Sequence, residues 1–278
     1  MIYSRRLKPS RLKLGWQFIS FVAGLMLFGW LWQTALASRW RGNDDFSWVE
    51  QSGDKIIVHT LMPQYAKLVT WEIPGNTLVM TAFGYGSYQW KNVFSLAEID
   101  HRGGQVLART SQATLGLAID GWRVGRQTDL SWWDKLKWWY WTRFKTKQQL
   151  TLDLSQSPAW QPGTLADGSQ VFTLIEYRLD QLINQETFSQ SISQEGLSVS
   201  VVNDQRLSRV LANHGLELVS ITLDQDEESS LIWIQDESIV KSLTVVWLKR
   251  LLPQAEVKVG LPEQWLSPIV IILGKDYN

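Results

Sequence analysis

The sequence predicts a mixed α/β fold carried behind a single N-terminal membrane helix, and three observations predict it. Residues 14–37 run through 24 positions without a charge. From residue 46 onward, short β-branched and aromatic runs alternate with stretches of helical periodicity. The region 196–278 repeats that alternation as a small α/β unit in the order βαββαββ.

The 278 residues are 45% apolar and 19% charged, with Lys+Arg 27 against Asp+Glu 27, which excludes a disordered tail, a collagen-like fibre and a polybasic nucleic-acid coat. Without a cysteine the chain has no disulfide framework, no thiolate zinc site and no cysteine nucleophile. His59, His101 and His214 lie far apart, with no metal-ligand spacing. The zero net charge hides a polarity along the chain. Residues 1–13 carry five basic groups and no acid, residues 131–147 carry five against Asp134 alone, and residues 148–278 carry eight against seventeen, a net of −9. Tryptophan is the compositional outlier, with 14 of its 17 copies in the first 160 residues.

The uncharged run 14–37 reads as a transmembrane helix. At about 1.5 Å per residue it reaches about 36 Å, enough for a hydrocarbon core of about 30 Å. Trp16 lies near one end and Trp30, Trp32 and Trp40 near the other, as interfacial belts require. Arg5, Arg6, Lys8, Arg11 and Lys13 precede the span, whereas Asp44 and Asp45 offset Arg39 and Arg41 after it. The positive-inside rule therefore leaves residues 1–13 as a basic cytoplasmic tail and puts the rest of the chain outside a plasma membrane. Ala35-Leu36-Ala37 also fits a signal-peptidase site. The bulky Trp30, Trp32 and Gln33 before it favour a retained anchor.

In the middle region, 46–190, Lys55 to Leu61 and Leu68 to Ile73 read as a hairpin turning at Pro63-Gln64. Pro74-Gly75-Asn76 breaks the second strand, and extension resumes at Leu78. Gly84-Tyr85-Gly86 lacks the following helix start and lysine of a phosphate cradle, and reads as a loop. Val93 to Asp100 and Gln105 to Leu115 read as helices, the second capped by Gly116; Ile119 to Val124 reads as a strand. Further strands are expected at Leu150 to Leu154 and Val171 to Ile175, with a turn at Asp167-Gly168 between them and a helix from Glu176 to Phe188 after them.

Ser131 can cap a helix through residue 147. At 100° per residue, Trp132, Trp133, Leu136, Trp139, Tyr140 and Phe144 form one broad aromatic face. Lys135, Lys137 and Lys145 lie mostly opposite, Arg143 interrupts the arc, and Trp138 and Trp141 fall on the polar side. Three readings stay open. The helix packs in a core; or Trp132, Trp133, Lys135, Lys137, Trp138, Trp139, Trp141 and Arg143 meet lipid headgroups; or they bind an anionic, apolar-tailed ligand.

In the region 196–278, strands are expected at Leu197 to Val202, Leu216 to Leu223, Leu231 to Ile234, Ala255 to Val259 and Ile269 to Leu273. A helix bears Leu207, Val210 and Leu211 and stops at Gly215; another runs from Ser238 to Leu252 and ends before Pro253. Asp224 to Glu228 reads as a solvated turn, its spacing matching no calcium loop.

Residues 196–278 resemble the LytR C-terminal domain, through Val201-Val202-Asn203, His214 to Leu218 and above all Ile269 to Tyr277. The region 46–190 resembles the LytR-CpsA-Psr (LCP) catalytic domain. Gly53 to Val58 looks like its acidic strand entry, Lys67 to Thr77 like the strand leading to its Ile-Pro-Arg-Asp-Thr motif, and Gly116 to Trp122 like its following strand. The resemblance implies a bacterial, membrane-anchored protein facing the cell wall. Active members move glycopolymers from a polyprenyl pyrophosphate carrier to peptidoglycan with magnesium, carboxylates and arginines, which neutralise the departing pyrophosphate. Here Gly75-Asn76 stands in place of Arg-Asp and Asp204 in place of a glycine. Asp54 is left as the counterpart of a metal-side carboxylate, and no run of arginines matches the clamp.

The expectation is therefore a non-catalytic scaffold or ligand-binding protein of cell-wall biogenesis, with no catalytic residues and no cofactor. Its expected partners are the lipid bilayer, a polyprenyl-linked glycopolymer or peptidoglycan, and envelope proteins meeting the C-terminal domain; nucleic acid is not among them. The alternative is a divergent phosphotransferase holding magnesium through Asp54. Convergence of Asp54, Asp100 or Asp120 with two or more arginines in a deep apolar pocket would favour that alternative.

Overall fold

The computed structural model describes residues 21, 22, 24, 26, 29, 38–202, 204–219, 227–261, 265–275 and 277. The expected membrane span 14–37 lies almost wholly outside them, as do Asp224 and Asp226 of the acidic turn. Among the described residues no helix is long and apolar enough to cross a membrane.

Two sheets organise the chain. Strands β1 (Phe46–Ser52), β2 (Lys55–Met62) and β3 (Lys67–Pro74) form an antiparallel meander. The hairpin expected at Pro63 is there, closed by Ala66 in the left-handed region. β4 (Leu78–Met80) and β5 (Ser87–Gln89) make a small ribbon. Helices α1 (Val93–Glu98) and α2 (Gly103–Leu115) follow, then β6 (Gly121–Val124) and β7 (Gln127–Thr128). Helix α3 (Trp132–Tyr140) continues into a wider π turn, Trp141–Lys145, before β8 (Gln148–Asp153). The first sheet takes the order β7-β6-β1-β2-β3-β8, with β6 parallel to β1 and β8 parallel to β3. The hairpin β9 (Trp160–Thr164) and β10 (Gln170–Leu174) leads to α4 (Glu176–Thr187) and α5 (Gln190–Gln194).

Strand alternation divides the side chains of this sheet between two cores. Val49, Ile56, Val58, Val69, Trp71 and Ile73 pack with Trp90 and with Leu107 and Leu179 from α2 and α4. Phe46, Trp48 and Leu61 face the other way and pack with Trp40, with Trp138 and Trp141 against them.

The second sheet is built as the sequence predicts, in the order βαββαββ. β11 (Ser198–Val202) leads through α6 (Gln205–Asn213) to β12 (Glu217–Leu218), and β13 (Leu231–Ile234) through α7 (Leu243–Leu251) to β14 (Glu256–Val259) and β15 (Ile269–Ile272). The spatial order is β12-β11-β15-β13-β14. Val199, Val201, Ile232, Ile234, Ile269 and Ile271 meet Leu211 and Leu248 in its core.

Two expectations on the tryptophan helix are corrected. The broad aromatic face does not pack: Trp132, Leu136, Trp139, Tyr140 and Phe144 are all exposed. Trp138, Trp141 and Lys137, assigned to a membrane or ligand surface, turn inward instead. Trp138 sits edge-on to Trp48 at 5.7 Å, and Lys137 donates to Ser38 Oγ at 3.0 Å and to the Trp40 carbonyl. The polar anchors decide the orientation. Ser131 and Asp134 close a capping box, and Asp134 Oδ1 also accepts from Ser38 Oγ at 2.6 Å and from the Trp40 amide at 3.2 Å. A buried carboxylate with these partners fixes its side of the helix more firmly than hydropathy does.

Candidate cationic cleft

The segment 38–45, between the expected span and β1, crosses the sheet edge and reaches α7. Arg39 pairs with Asp129 at 2.6 Å and donates to the Asp120 carbonyl at 3.1 Å. Farther along, Asp44 and Asp120 share Arg250 of α7, whose Nε lies 2.9 Å from Asp120 Oδ1. The backbone around Asp120 is held equally firmly, since its amide donates to the Ser47 carbonyl at 2.7 Å and its Oδ2 accepts from the Ser47 amide at 2.8 Å. Burial pushes the Asp120 carboxyl up to about 6 against the pull of Arg250, and the Asp45 carboxyl up to about 7. His214 stacks on Trp247 at 4.2 Å and lies 3.9 Å from Asp45, but burial holds its imidazole down near pKa 3. The imidazole is therefore neutral near pH 7, and the contact is not an ion pair.

Beside this network a cleft of about 1280 Å³ opens between α2, the β6–β7 edge and α7. Arg39, Arg41, Arg102, Arg109, Arg126, Lys249 and Arg250 line it, against Asp44, Glu98, Asp120 and Asp129. Arg39 and Arg250 are consumed by Asp129, Asp44 and Asp120. The side chains of Arg41, Arg102, Arg109, Arg126 and Lys249 make no hydrogen bond or ion pair with the described residues, which leaves five cations in the cleft with Glu98. Two of them are positioned by aromatic rings: Arg102 lies 4.2 Å over Phe83 and Arg109 lies 4.8 Å over Tyr277. A glycine shapes the wall, because a Cβ on Gly104 would come within 1.9 Å of the Trp122 ring. Unpaired guanidinium groups with planar donor forks, gathered in one concavity, suit a phosphate-bearing ligand.

None of these cations was assigned to a site by sequence reasoning, which looked for a local run of arginines. They come from the segment 38–41, α2, the β6–β7 turn and α7, and only tertiary structure gathers them. No sequence signal was available beyond the number of arginines themselves.

Asp54 does not join the cleft. Its side chain is 87% exposed in the β1–β2 turn, 3.4 Å from Lys91. No group of three or more metal-ligating side chains gathers among the described residues. Arg250 holds the place between Asp44 and Asp120 that a cation would need, so these residues do not fit a resident magnesium ion. Asp100 accepts from the Tyr85 hydroxyl at 2.8 Å and does not line the cleft either. Asp120 alone of the three converges with arginines, in a cleft whose lining mixes charged groups with Phe83, Ile119, Trp122 and Tyr277.

No protein-family model matches the sequence, and comparison with curated proteins finds no match. Solved structures do show a likeness. TagT of B. subtilis is 12% identical with a TM-score of 0.42, the match covering 51% of this chain and 89% of that one. A LytR-CPS2A-psr family protein, YwtF (TagT), with bound octaprenyl pyrophosphate lipid gives 12% and 0.42 over 51% and 88%. A putative transcriptional regulator, ywtF from Bacillus subtilis, gives 10% and 0.44 over 64% and 93%. The structural neighbours of this fold thus include LytR-CPS2A-psr family proteins, at a likeness too low to carry an argument about what this chain does.

Proposed function

We propose that this chain is a membrane-anchored, extracytoplasmic cell-envelope protein that binds a pyrophosphate-bearing, lipid-linked glycopolymer in the cationic cleft without transferring it. The observation that carries the reading is the convergence of five cations that have no acidic partner among the described residues. The sequence resemblance supplies the class of ligand, and the uncharged run 14–37 supplies the anchor. A second reading, a divergent phosphotransferase, is favoured by Asp120, which lies in the same cleft. Against it stands the state of that carboxylate: Oδ1 faces Arg250, Oδ2 accepts from the Ser47 amide, and the side chain is 6% exposed. A group so occupied is poorly placed to activate a nucleophile or ligate a metal.

The test is calorimetric titration of the full chain in detergent with farnesyl pyrophosphate, with and without magnesium. Binding that weakens at least about tenfold in Arg102→Ala/Arg109→Ala supports the cleft, each lost charged hydrogen bond being worth about 1.5–3 kcal/mol. Equal affinity in that variant removes the cleft from the proposal. Incubation with a lipid-linked glycopolymer and peptidoglycan separates the two readings, since Asp120-dependent transfer would establish the phosphotransferase.

A further inference from the structure

The outward face of α3 has no use in the cleft. Trp132, Leu136, Trp139 and Tyr140, with Phe144 in the following π turn, form a row in which Trp132 is 59%, Trp139 55% and Phe144 62% exposed. Lys135, Arg143, Lys145 and Lys147 flank it, all exposed, while Asp134, the one acid of the segment, is buried on the inner side. The outward surface is thus aromatic and purely cationic. Rings contact one another along it, Trp139 edge-on to Phe144 at 5.4 Å and Tyr140 against Phe144 at 5.7 Å.

The attachment of this helix identifies what covers it. Its inner side is bonded to Ser38 and Trp40, the residues that directly follow the uncharged run 14–37, through Asp134 and Lys137. A chain leaving a bilayer at residue 37 has Ser38 at the membrane surface, so a helix hydrogen-bonded to Ser38 is at that surface too. Tryptophan and tyrosine favour the headgroup layer, and lysine and arginine at its rim meet anionic lipid.

We propose that the outward face of α3 and its π turn lies in the anionic headgroup layer of the same bilayer that holds residues 14–37. This rests on the anchor proposed above. It adds a second contact that stops the body swivelling on its tether, and it holds the cleft, which Ser38, Arg39 and Arg41 line, beside the membrane. A lipid-linked pyrophosphate could then be reached without leaving the bilayer.

The absence of cysteine makes the test clean. Single-cysteine variants of the full chain (L25C, W139C and Y177C) are spin-labelled and reconstituted into vesicles of phosphatidylglycerol and phosphatidylethanolamine. Tyr177 is the control, exposed on α4, which covers the opposite face of the first sheet. Accessibility to oxygen relative to a water-soluble nickel chelate is expected to be high at 25, clearly raised at 139 and low at 177. Replacing Trp132 and Phe144 by serine should shift the label at 139 toward water while leaving farnesyl pyrophosphate affinity unchanged. A label at 139 as nickel-accessible as that at 177, with 25 in lipid, would overturn the docking and leave the anchor standing. A label at 139 shielded from both reagents would show the patch covered by protein, which also overturns it. A label at 25 in water removes the anchor and the docking together. Loss of farnesyl pyrophosphate binding with the label at 139 still in lipid would sink only the cleft reading.

Discussion

Arg250 of α7 and Asp120 at the entry to β6 meet across the two sheets at 2.9 Å, with side chains 13% and 6% exposed. Asp44 contacts the same guanidinium, so one cation joins the C-terminal unit to two separate segments of the first. Arg250→Met would keep the volume and remove the charge, leaving Asp120 buried and Asp44 half-buried without this counter-ion. Breaking a buried pair from one side costs about 3–5 kcal/mol. Urea denaturation of the variant is expected to show a loss of that order, and adding Asp120→Asn should recover part of it. A loss within about 0.5 kcal/mol, the range of ordinary surface substitutions, would mean that solvent already carries the charge.

The same region sets an opposition in pH. Burial raises Asp45 to about 7 and Asp120 to about 6, so in the folded chain both hold protons that unfolding releases; their contribution to stability falls as pH rises from about 4 through those values. Burial lowers His59 to about 4 and His214 to about 3, so unfolding takes protons up; their contribution rises with pH until about 6.5. Acids and imidazoles therefore work against each other across the mildly acidic range. Asp45→Asn removes one of the falling contributions. Relative to the parent, this variant is expected to gain about 1.4 kcal/mol per pH unit between about pH 4 and 7. Stability curves that stay parallel for parent and variant would show that Asp45 does not titrate in this window.

How much of this was legible in the sequence follows from the range of the forces involved. Local periodicity announces α6, whose Leu207, Val210 and Leu211 are all buried, and β13 and β15, whose apolar runs fill the second core. β1 went unread because Phe46 to Val49 are buried on both faces and show no alternation. β9 has no sequence signal, since Pro162 and Gly163 interrupt a strand that among the described residues pairs only with β10. Periodicity found the aromatic face of α3 but could not say which side meets protein. That was decided by Asp134 and Lys137 reaching the segment 38–40, a contact nearly a hundred residues away in sequence. The cleft is the extreme case, since its cations share no local pattern at all.

Gly104 tests the construction of the cleft wall. It sits in the first turn of α2 with the Trp122 ring where its Cβ would be, and both residues line the cleft. Helix propensity alone would make Gly104→Ala favourable by about 1 kcal/mol. The contact at 1.9 Å opposes it, because the neighbour is a ring held against Phe94 at 5.9 Å and not the end of a flexible chain. Overpacking of this kind costs about 1–3 kcal/mol, so a net loss of stability is expected together with altered Trp122 fluorescence. Read in a background lacking nearby tryptophans, an unchanged emission with raised stability would show that the ring moves aside freely.

Trp138 and Trp139 are neighbours in sequence with opposite fates, and the pair separates fold from surface. Trp138 touches Trp48 at 5.7 Å, Phe46 at 6.3 Å and His59 at 5.9 Å, ring centroid to ring centroid. Trp139 is 55% exposed and contacts Phe144. Trp138→Ala removes a large part of the small core beneath α3 and is expected to cost about 2–4 kcal/mol, near the range for buried aromatic truncations. Trp139→Ala loses only a partial surface contact and should stay within about 0.5 kcal/mol of the parent. Chemical denaturation in detergent, away from any bilayer, measures both without the membrane contributing. Equal costs at the two positions would contradict the orientation of the helix, and with it the placement of Lys137 and Asp134 on the inner side. The expected inequality leaves Trp139 with an aromatic surface that folding does not require.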